Sequence, residues 1–166
     1  TRYYLNGVYL HICGEGDAAK LRAVATDGHR LARIDTPVPP GAEDAPGVIV
    51  PRKTVQELGK LLEDEEAVAQ IAVSEAKIRI ACGRVVLTSK VIDGKFPDYT
   101  RVIPVGNDKA LTVDAKIFAS AVDRVATVSS ERSRAVKLAL DEDRPILSVN
   151  APDSGAAEEE LAVAYG

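Results

Sequence analysis

The chain has 166 residues, of which 46% are hydrophobic and 28% are charged, and its formal net charge is −4. This composition is typical of a globular protein rather than a disordered one. The acidic balance argues against a domain that holds nucleic acid by neutralising many phosphates. No apolar run approaches the ~20 residues that cross a bilayer. Cys13 and Cys82 are too few and too far apart for a disulfide scaffold or a zinc site.

The first third of the chain predicts short strands separated by turn residues. Residues 3–11 are rich in Tyr, Val and Leu around Asn6-Gly7, a pair typical of tight turns, and predict a hairpin. Residues 21–35 predict a second pair of strands with the bend at Asp27-Gly28. A short strand is expected at 48–50.

At Pro51 the spacing of apolar residues changes to that of a helix, which we expect to end near residue 63. One apolar stripe is predicted on this helix, formed by Val55, Leu58, Leu61 and Leu62. The acidic run 63–66 predicts a solvated turn. Three further strands are predicted after it, near 71–73, 77–80 and 85–88.

The same order of elements then restarts. Residues 110–113 predict a strand, Asp114 an N-cap, and the next residues a helix to about 128, with an apolar face of Ile117, Phe118, Ala121, Val122 and Val125. A hairpin is predicted from strands at 135–140 and 145–149. A unit of strand, helix and hairpins thus occurs twice, offset by 63 residues, with Val50 aligned to Val113. This repeat predicts an α+β fold in which antiparallel sheets carry helices on one face.

Signals for an enzyme are weak. Gly14-Glu15-Gly16 is not followed by a helix, so we expect no dinucleotide cofactor, and no other cofactor or metal is indicated. Asp27 and His29 can be imagined as a base and its orienter, which leaves a small enzyme as one alternative. The other alternative is a protein-interaction module unrelated to DNA.

Four segments occur in an order and spacing that resemble one known family: 2–7 (Arg-Tyr-Tyr-Leu-Asn-Gly), 24–32 (Val-Ala-Thr-Asp-Gly-His-Arg-Leu-Ala), 50–53 (Val-Pro-Arg-Lys) and 95–99 (Lys-Phe-Pro-Asp-Tyr). They resemble the bacterial DNA polymerase III beta subunit, the sliding clamp, over the whole chain. The resemblance implies the DNA clamp fold. Residues 1–104 would be a middle domain without its first strand and helix, and 105–166 the first half of the third domain. The lack of methionine agrees with an internal piece of a longer chain.

In this family two subunits close into a ring around duplex DNA. The resemblance therefore implies a non-catalytic processivity factor of DNA replication, which forms a homodimer when full length. It implies a cytoplasmic bacterial protein, associated with the nucleoid during replication and not with a membrane. The implied partners are duplex DNA, the DNA polymerase III alpha subunit, the clamp loader and other clamp-binding proteins.

The resemblance also implies site residues, position by position. Peptide tails of partners, with motifs such as Gln-Leu-x-Leu-Phe, would bind a groove formed by Leu5, Thr26, Gly28, His29, Arg30, Leu31, Pro97, Arg101 and Val102. DNA would be contacted by Tyr3, Tyr4, Arg52, Lys53, Lys60, Lys116 and Arg124. For each of these cations an ordinary solvated role stays open, as does a packing role for Tyr3.

Two further positions concern subunit contact and the rim of the groove. Thr127 and Val128 match the helix end that is used between subunits, although Thr127 is more polar than the usual residue. Ser133 stands where some relatives have an aromatic residue at the groove. We also expect that the strand and helix of 110–128 can fill the place of the absent first strand and helix, within one chain or by exchange between two.

Overall fold

The computed structural model describes residues 2–62, 67–108, 110–129, 135–140, 144–161 and 164–165. They divide into two compact units, Thr1–Tyr99 and Thr100–Gly166. In the described parts of both units, antiparallel strands accompany a helix of ten or more residues, which confirms the α+β prediction. No described helix has the length and apolar character needed to cross a membrane.

The first unit contains two antiparallel sheets and one α-helix among its described residues. A four-stranded sheet has the order β3-β2-β1-β4, with β1 at Gly7–Cys13, β2 at Lys20–Thr26, β3 at Leu31–Pro37 and β4 at Val48–Pro51. The second sheet has the order β5-β6-β7, with strands at Ala69–Val73, Lys77–Cys82 and Val85–Lys90. Helix α1 spans Arg52–Leu61.

The predicted hairpin around Asn6-Gly7 is wrong. Tyr3–Leu5 is a turn of 3₁₀ helix, and Gly7 is a buried residue that opens β1 opposite Pro51. A Cβ atom at Gly7 would collide with the carbonyl oxygen of Val50. Glycine is therefore required here for the close approach of β4 to β1, not for a turn.

Helix α1 begins one residue after Pro51, close to its predicted start, but its buried face differs from the predicted stripe. Val55 and Leu61 are exposed by 37% and 42%, whereas Thr54 is buried. The Thr54 hydroxyl forms a 2.7 Å hydrogen bond with the hydroxyl of Ser89, and this bond offsets the cost of burying a polar group. Leu58 packs on a core cluster of the unit, whose buried members are Val48, Val50, Ile78 and Ile80.

The second unit repeats this scheme. Strand β8 spans Leu111–Thr112, α2 Ala115–Ala126, β9 Lys137–Ala139, β10 Ile146–Ala151, β11 Gly155–Glu160 and β12 Ala164–Tyr165. The sheet orders are β11-β10-β9 and β12-β8. The two helices begin 63 residues apart, each after a short strand and before three antiparallel strands, so the predicted repeat is confirmed.

Asp114 caps α2 as predicted, because its Oδ1 accepts hydrogen bonds from the backbone amides of Lys116 and Ile117, both at 2.9 Å. Of the predicted apolar face, Ala121 and Val125 are buried, and Ile117 is 63% exposed. The buried pair packs with three residues of the same unit, Leu147, Val149 and Leu161.

The hypothesis that residues 110–128 replace a missing strand and helix gains no support from this packing. The inner face of α2 is occupied by β10 and β11 of its own unit, and β8 pairs with β12. The predicted turns at 63–66 and 141–143, and Ser133, lie outside the described residues.

Candidate functional site

The turn between β2 and β3 is built by side chains that bond its own backbone. Thr26 donates from Oγ1 to the carbonyl oxygen of Arg30 at 2.8 Å and accepts from the amide of Gly28 at 3.1 Å. Gly28 has φ +90°, a conformation that disfavours residues with a Cβ atom. The turn therefore has a defined shape although most of its residues are exposed.

The carboxylate of Asp27 is fully used within this turn. Its Oδ1 accepts from the amides of His29 and Arg30, both at 3.0 Å, and its Oδ2 from Nε of Arg30 at 3.1 Å. The amide bonds, that from Arg30 foremost, lower the pKa of Asp27 to about 2. Asp27 is thus a structural carboxylate, which leaves little basis for the alternative of a catalytic Asp27–His29 pair.

An open groove of about 1100 Å³ lies beside this turn. It brings together six of the nine residues predicted for peptide binding: Leu5, Thr26, Gly28, His29, Arg30 and Leu31. Leu5 comes from the 3₁₀ turn before β1, and the other five come from the β2–β3 turn. Two segments about 20 residues apart in sequence meet here because β1 and β2 are antiparallel neighbours.

Sequence reasoning missed one wall of this groove. Helix α1 contributes Arg52, Val55 and Gln56, and the start of the chain adds Arg2 and Tyr3. Arg52 and Tyr3 were predicted to contact DNA instead. The spacing of Arg52, Val55 and Gln56 at i, i+3 and i+4 is the signal that could have placed them together on one helix face.

The other three predicted groove residues are not among those that line it. Pro97 is exposed between two buried aromatic residues, Phe96 and Tyr99. Arg101 and Val102 lie in a short 3₁₀ turn, Tyr99–Val102, and belong to the second unit. Their part in peptide binding stays a prediction.

The cations predicted to face DNA on α1 are exposed, namely Arg52, Lys53 and Lys60. Lys60 makes a 3.0 Å ion pair with Glu57, in which both side chains are largely accessible, so the pair contributes little stability. Tyr3 is 61% exposed and Tyr4 half-buried, and their rings meet edge to face at 5.7 Å. Exposure leaves the three cations and Tyr3 available to a ligand.

The two cations predicted on α2 differ from each other. Lys116 is exposed. Arg124 instead binds Glu159 of β11 through two hydrogen bonds, from Nε at 3.0 Å and from Nη2 at 2.5 Å. This pairing raises the pKa of Arg124 and lowers that of Glu159. A phosphate would have to compete with Glu159 for the guanidinium.

The residues predicted for subunit contact follow directly after α2. Thr127 is exposed and donates from Oγ1 to the carbonyl oxygen of Arg124 at 2.7 Å. Val128 is half-buried and packs against the core of its own unit. Part of the Val128 surface is therefore already used within the unit.

Comparison with known proteins identifies the family. Residues 1–98 match the central domain of the DNA polymerase III beta subunit, and residues 100–166 match its C-terminal domain. The beta sliding clamp of Caulobacter vibrioides is 56% identical over 165 residues, and that of Escherichia coli K12 is 40% identical over 167 residues. Both alignments cover 99% of this chain, which spans 44% of the length of either relative.

Solved structures agree with the sequence comparison. A DnaN sliding clamp from Bartonella birtlesii, bound to griselimycin, superposes with a TM-score of 0.92 at 56% identity, over 99% of this chain and 44% of that one. A DNA polymerase III beta subunit from Pseudomonas aeruginosa superposes with a TM-score of 0.90 at 41% identity, over 99% and 44%. The predicted clamp fold is thereby confirmed, and the chain belongs to the DNA polymerase III beta subunit family.

Proposed function

We propose that this chain is part of a processivity clamp, a non-catalytic ring subunit that encircles duplex DNA and tethers replication and repair proteins by their peptide tails. The observation that carries the proposal is the groove beside the β2–β3 turn, which gathers six residues predicted from the family motifs. The proposed partners are the polymerase alpha subunit, the clamp loader and other clamp-binding proteins. A homodimeric ring in the bacterial cytoplasm, associated with the nucleoid during replication, completes the proposal.

The chemistry of the groove suits a short apolar peptide. Leu5, Leu31, Val8 and Val55 supply apolar surface, and Arg52 and Gln56 of α1 supply polar side chains. Burial of one leucine and one phenylalanine of the partner would contribute about 3–6 kcal/mol. The cost of ordering the tail reduces this gain, so an affinity of about micromolar is expected. Such affinity allows partners to exchange.

The peptide proposal is tested by titrating the isotope-labelled chain with a Gln-Leu-x-Leu-Phe peptide and following amide shifts. We expect the changes to cluster at Leu5 and at the β2–β3 turn. A Leu31→Ala substitution removes apolar contact in the groove and should weaken binding about 5- to 30-fold.

The matched control is Ile34→Ala on the same strand. Ile34 is 71% exposed and does not line the groove, so this variant should bind within about twofold of the unmodified chain. The same titration is done with a full-length clamp chain that contains this sequence, hereafter the longer protein. If only the longer protein binds the peptide, residues outside this chain are essential for binding. If neither protein shows amide shifts on addition of the peptide, the proposed function is contradicted.

For the DNA surface we propose weak, shared contacts rather than a tight grip. Retention by a closed ring is topological, so only about three or four cations need to approach phosphates. The logarithm of affinity of the longer protein for a short duplex with free ends should then fall with the logarithm of salt concentration with a slope of about −3. Lys53→Ala should reduce the magnitude of this slope by about 0.9.

Two controls sharpen this salt experiment. Lys77 is exposed on β6 and is not among the cations predicted to face DNA, so Lys77→Ala should leave the slope unchanged. Arg124→Ala should change it less than Lys53→Ala, because Glu159 already binds the guanidinium. An equal effect of all three substitutions would contradict the assignment of Lys53 to the DNA surface.

We further propose that the first unit is a middle domain without its first strand and helix, and that the second unit is the first half of a third domain. The edge strand β5 supports it. Val68, directly before β5, and Ile71 within it are exposed by 82% and 53%, and β5 lines a second groove of about 790 Å³ together with the loop 39–46. An apolar strand edge of this kind is normally covered by another segment.

A further inference from the structure

We propose that His11 is a positioning residue for residues 95–99, hereafter the anchored segment, and that its neutral imidazole holds this segment through the hydroxyl of Tyr99. The proposal rests on the proposed function in one respect: Pro97, a predicted wall of the peptide groove, lies in the anchored segment. The geometry of the anchor itself is independent of peptide binding.

Four rings join the anchored segment to strand β1. Tyr9 lies between His11 and Phe96, with stacked rings whose centroids are 4.5 Å and 4.9 Å away. Tyr99 approaches His11 at 5.9 Å and Phe96 at 6.4 Å in tilted and edge-on arrangements. Phe96 and Tyr99 are the buried residues of the segment. The stack fixes the distance of the segment from β1. On its polar side, the Tyr99 hydroxyl forms hydrogen bonds with His11 and Arg22.

The hydrogen-bond partners of His11 determine where its proton lies. Nδ1 is 2.9 Å from the carbonyl oxygen of Ile12, which can only accept, so Nδ1 carries the hydrogen. In the neutral ring Nε2 then has a lone pair, and it accepts from the Tyr99 hydroxyl at 2.9 Å. The Tyr99 oxygen in turn accepts from Nη1 of Arg22 at 3.2 Å. The donors in this series of three hydrogen bonds all point the same way, from Arg22 to the backbone of β1.

The charged side chains around these hydrogen bonds are already mostly positive. Arg22 is held by Asp35 through bonds of 2.6 Å and 2.8 Å, which raise the pKa of Arg22 and lower that of Asp35. Lys20 and Arg33 also act on Asp35. Strand β1 adds the titratable Tyr9, whose pKa is raised by burial, and Cys13. The anchored segment itself carries Lys95 and Asp98.

Protonation of His11 would break this arrangement. Nε2 would become a donor, the Tyr99 hydroxyl would lose its acceptor, and its oxygen would face two cationic donors. A positive charge would also join Lys20, Arg22 and Arg33 around the single carboxylate of Asp35. Histidine is the side chain that ordinarily titrates between about pH 5 and 8. The position of the anchored segment should therefore depend on the protonation state of His11.

The test follows the amide shifts of Phe96, Asp98 and Tyr99 in the labelled 166-residue chain from about pH 7.5 to 5.5. The chain has two histidines, so His29→Gln serves as the background and leaves His11 as the one imidazole. We expect the three amides to shift together over this range. In the longer protein with His29 retained, affinity for the Gln-Leu-x-Leu-Phe peptide should fall over this range by about threefold more with His11 present than in His11→Gln.

Two variants separate positioning from a merely structural role. His11→Gln offers an uncharged acceptor to Tyr99, so the three amides of the labelled chain should no longer shift with pH. Tyr99→Phe removes the hydroxyl, and the amides should sit at displaced positions at every pH, even if His11→Gln fails to fold.

Unchanged shifts between pH 7.5 and 5.5, or a titration that persists in His11→Gln or Tyr99→Phe, would overturn the proposal. Titrating shifts in a protein that binds no peptide at any pH would leave the anchor in place and reject the proposed function. The two failures are thus distinguishable.

Discussion

Replacement of Leu147 by alanine is expected to lower the free energy of unfolding of the second unit by about 2–5 kcal/mol. Leu147 is 1% exposed and lies at the centre of the cluster with Ala121 and Val125 of α2. Truncation removes buried apolar atoms and leaves a cavity that α2 and β10 can only partly close. Denaturant unfolding followed by far-ultraviolet circular dichroism measures the loss, since the chain has no tryptophan.

The matched control is Leu138→Ala. Leu138 lies directly opposite Leu147 in the pairing of β9 with β10 but is 40% exposed, so its truncation should cost less than about 1 kcal/mol. Hydrogen exchange at the amides of β10 assigns the loss to the second unit. Equal effects of both substitutions would show that α2 does not bury Leu147 in solution.

The second large loss of stability is expected for Gly7→Ala. The new Cβ atom would meet the carbonyl oxygen of Val50, a backbone atom of the paired strand, and Cγ2 of Ile49 at 3.0 Å. Strands β1 and β4 would have to separate, at a cost of about 1–3 kcal/mol or more. Because Leu5 lies just before β1, the same variant should weaken peptide binding. Thermal unfolding and the peptide titration together measure both effects.

Gly59→Ala provides the opposite expectation in the same unit. Gly59 lies in α1, and a Cβ atom there has no heavy atom within 4 Å. Alanine favours a helix over glycine by about 0.5–1 kcal/mol, so this variant should be more stable than the unmodified chain. If Gly7→Ala were equally stable, the close pairing of Gly7 with Pro51 would be wrong.

Much of the fold was predictable because the local sequence patterns indicate the same helices and strands that the packed structure contains. The helix starts after Pro51 and at Asp114 follow from a fixed φ angle and from a side chain that caps free amides. The β2–β3 hairpin follows from a turn sequence between two strand patterns. The repeat could be found because both units use the same order of elements.

The candidate site was only partly predictable, and α1 illustrates why. Residues of the β2–β3 turn could be assigned together because they are adjacent in sequence. That Arg52, Val55 and Gln56 form the opposite wall depends on which side of α1 faces the sheet. In this orientation Thr54 faces inward and pairs with Ser89, a contact between residues that no local period connects.

The sequence by itself determined most of the elements, their repetition and the family, since these depend on short-range spacing and on motifs in order. Only the tertiary structure decided that Gly7 serves strand contact, that Arg124 is held by Glu159, and that His11 meets Tyr99, which is 88 residues away. Each of these depends on the distance between two atoms brought together by sheet pairing. Residue type and spacing do not specify such distances until the chain has packed.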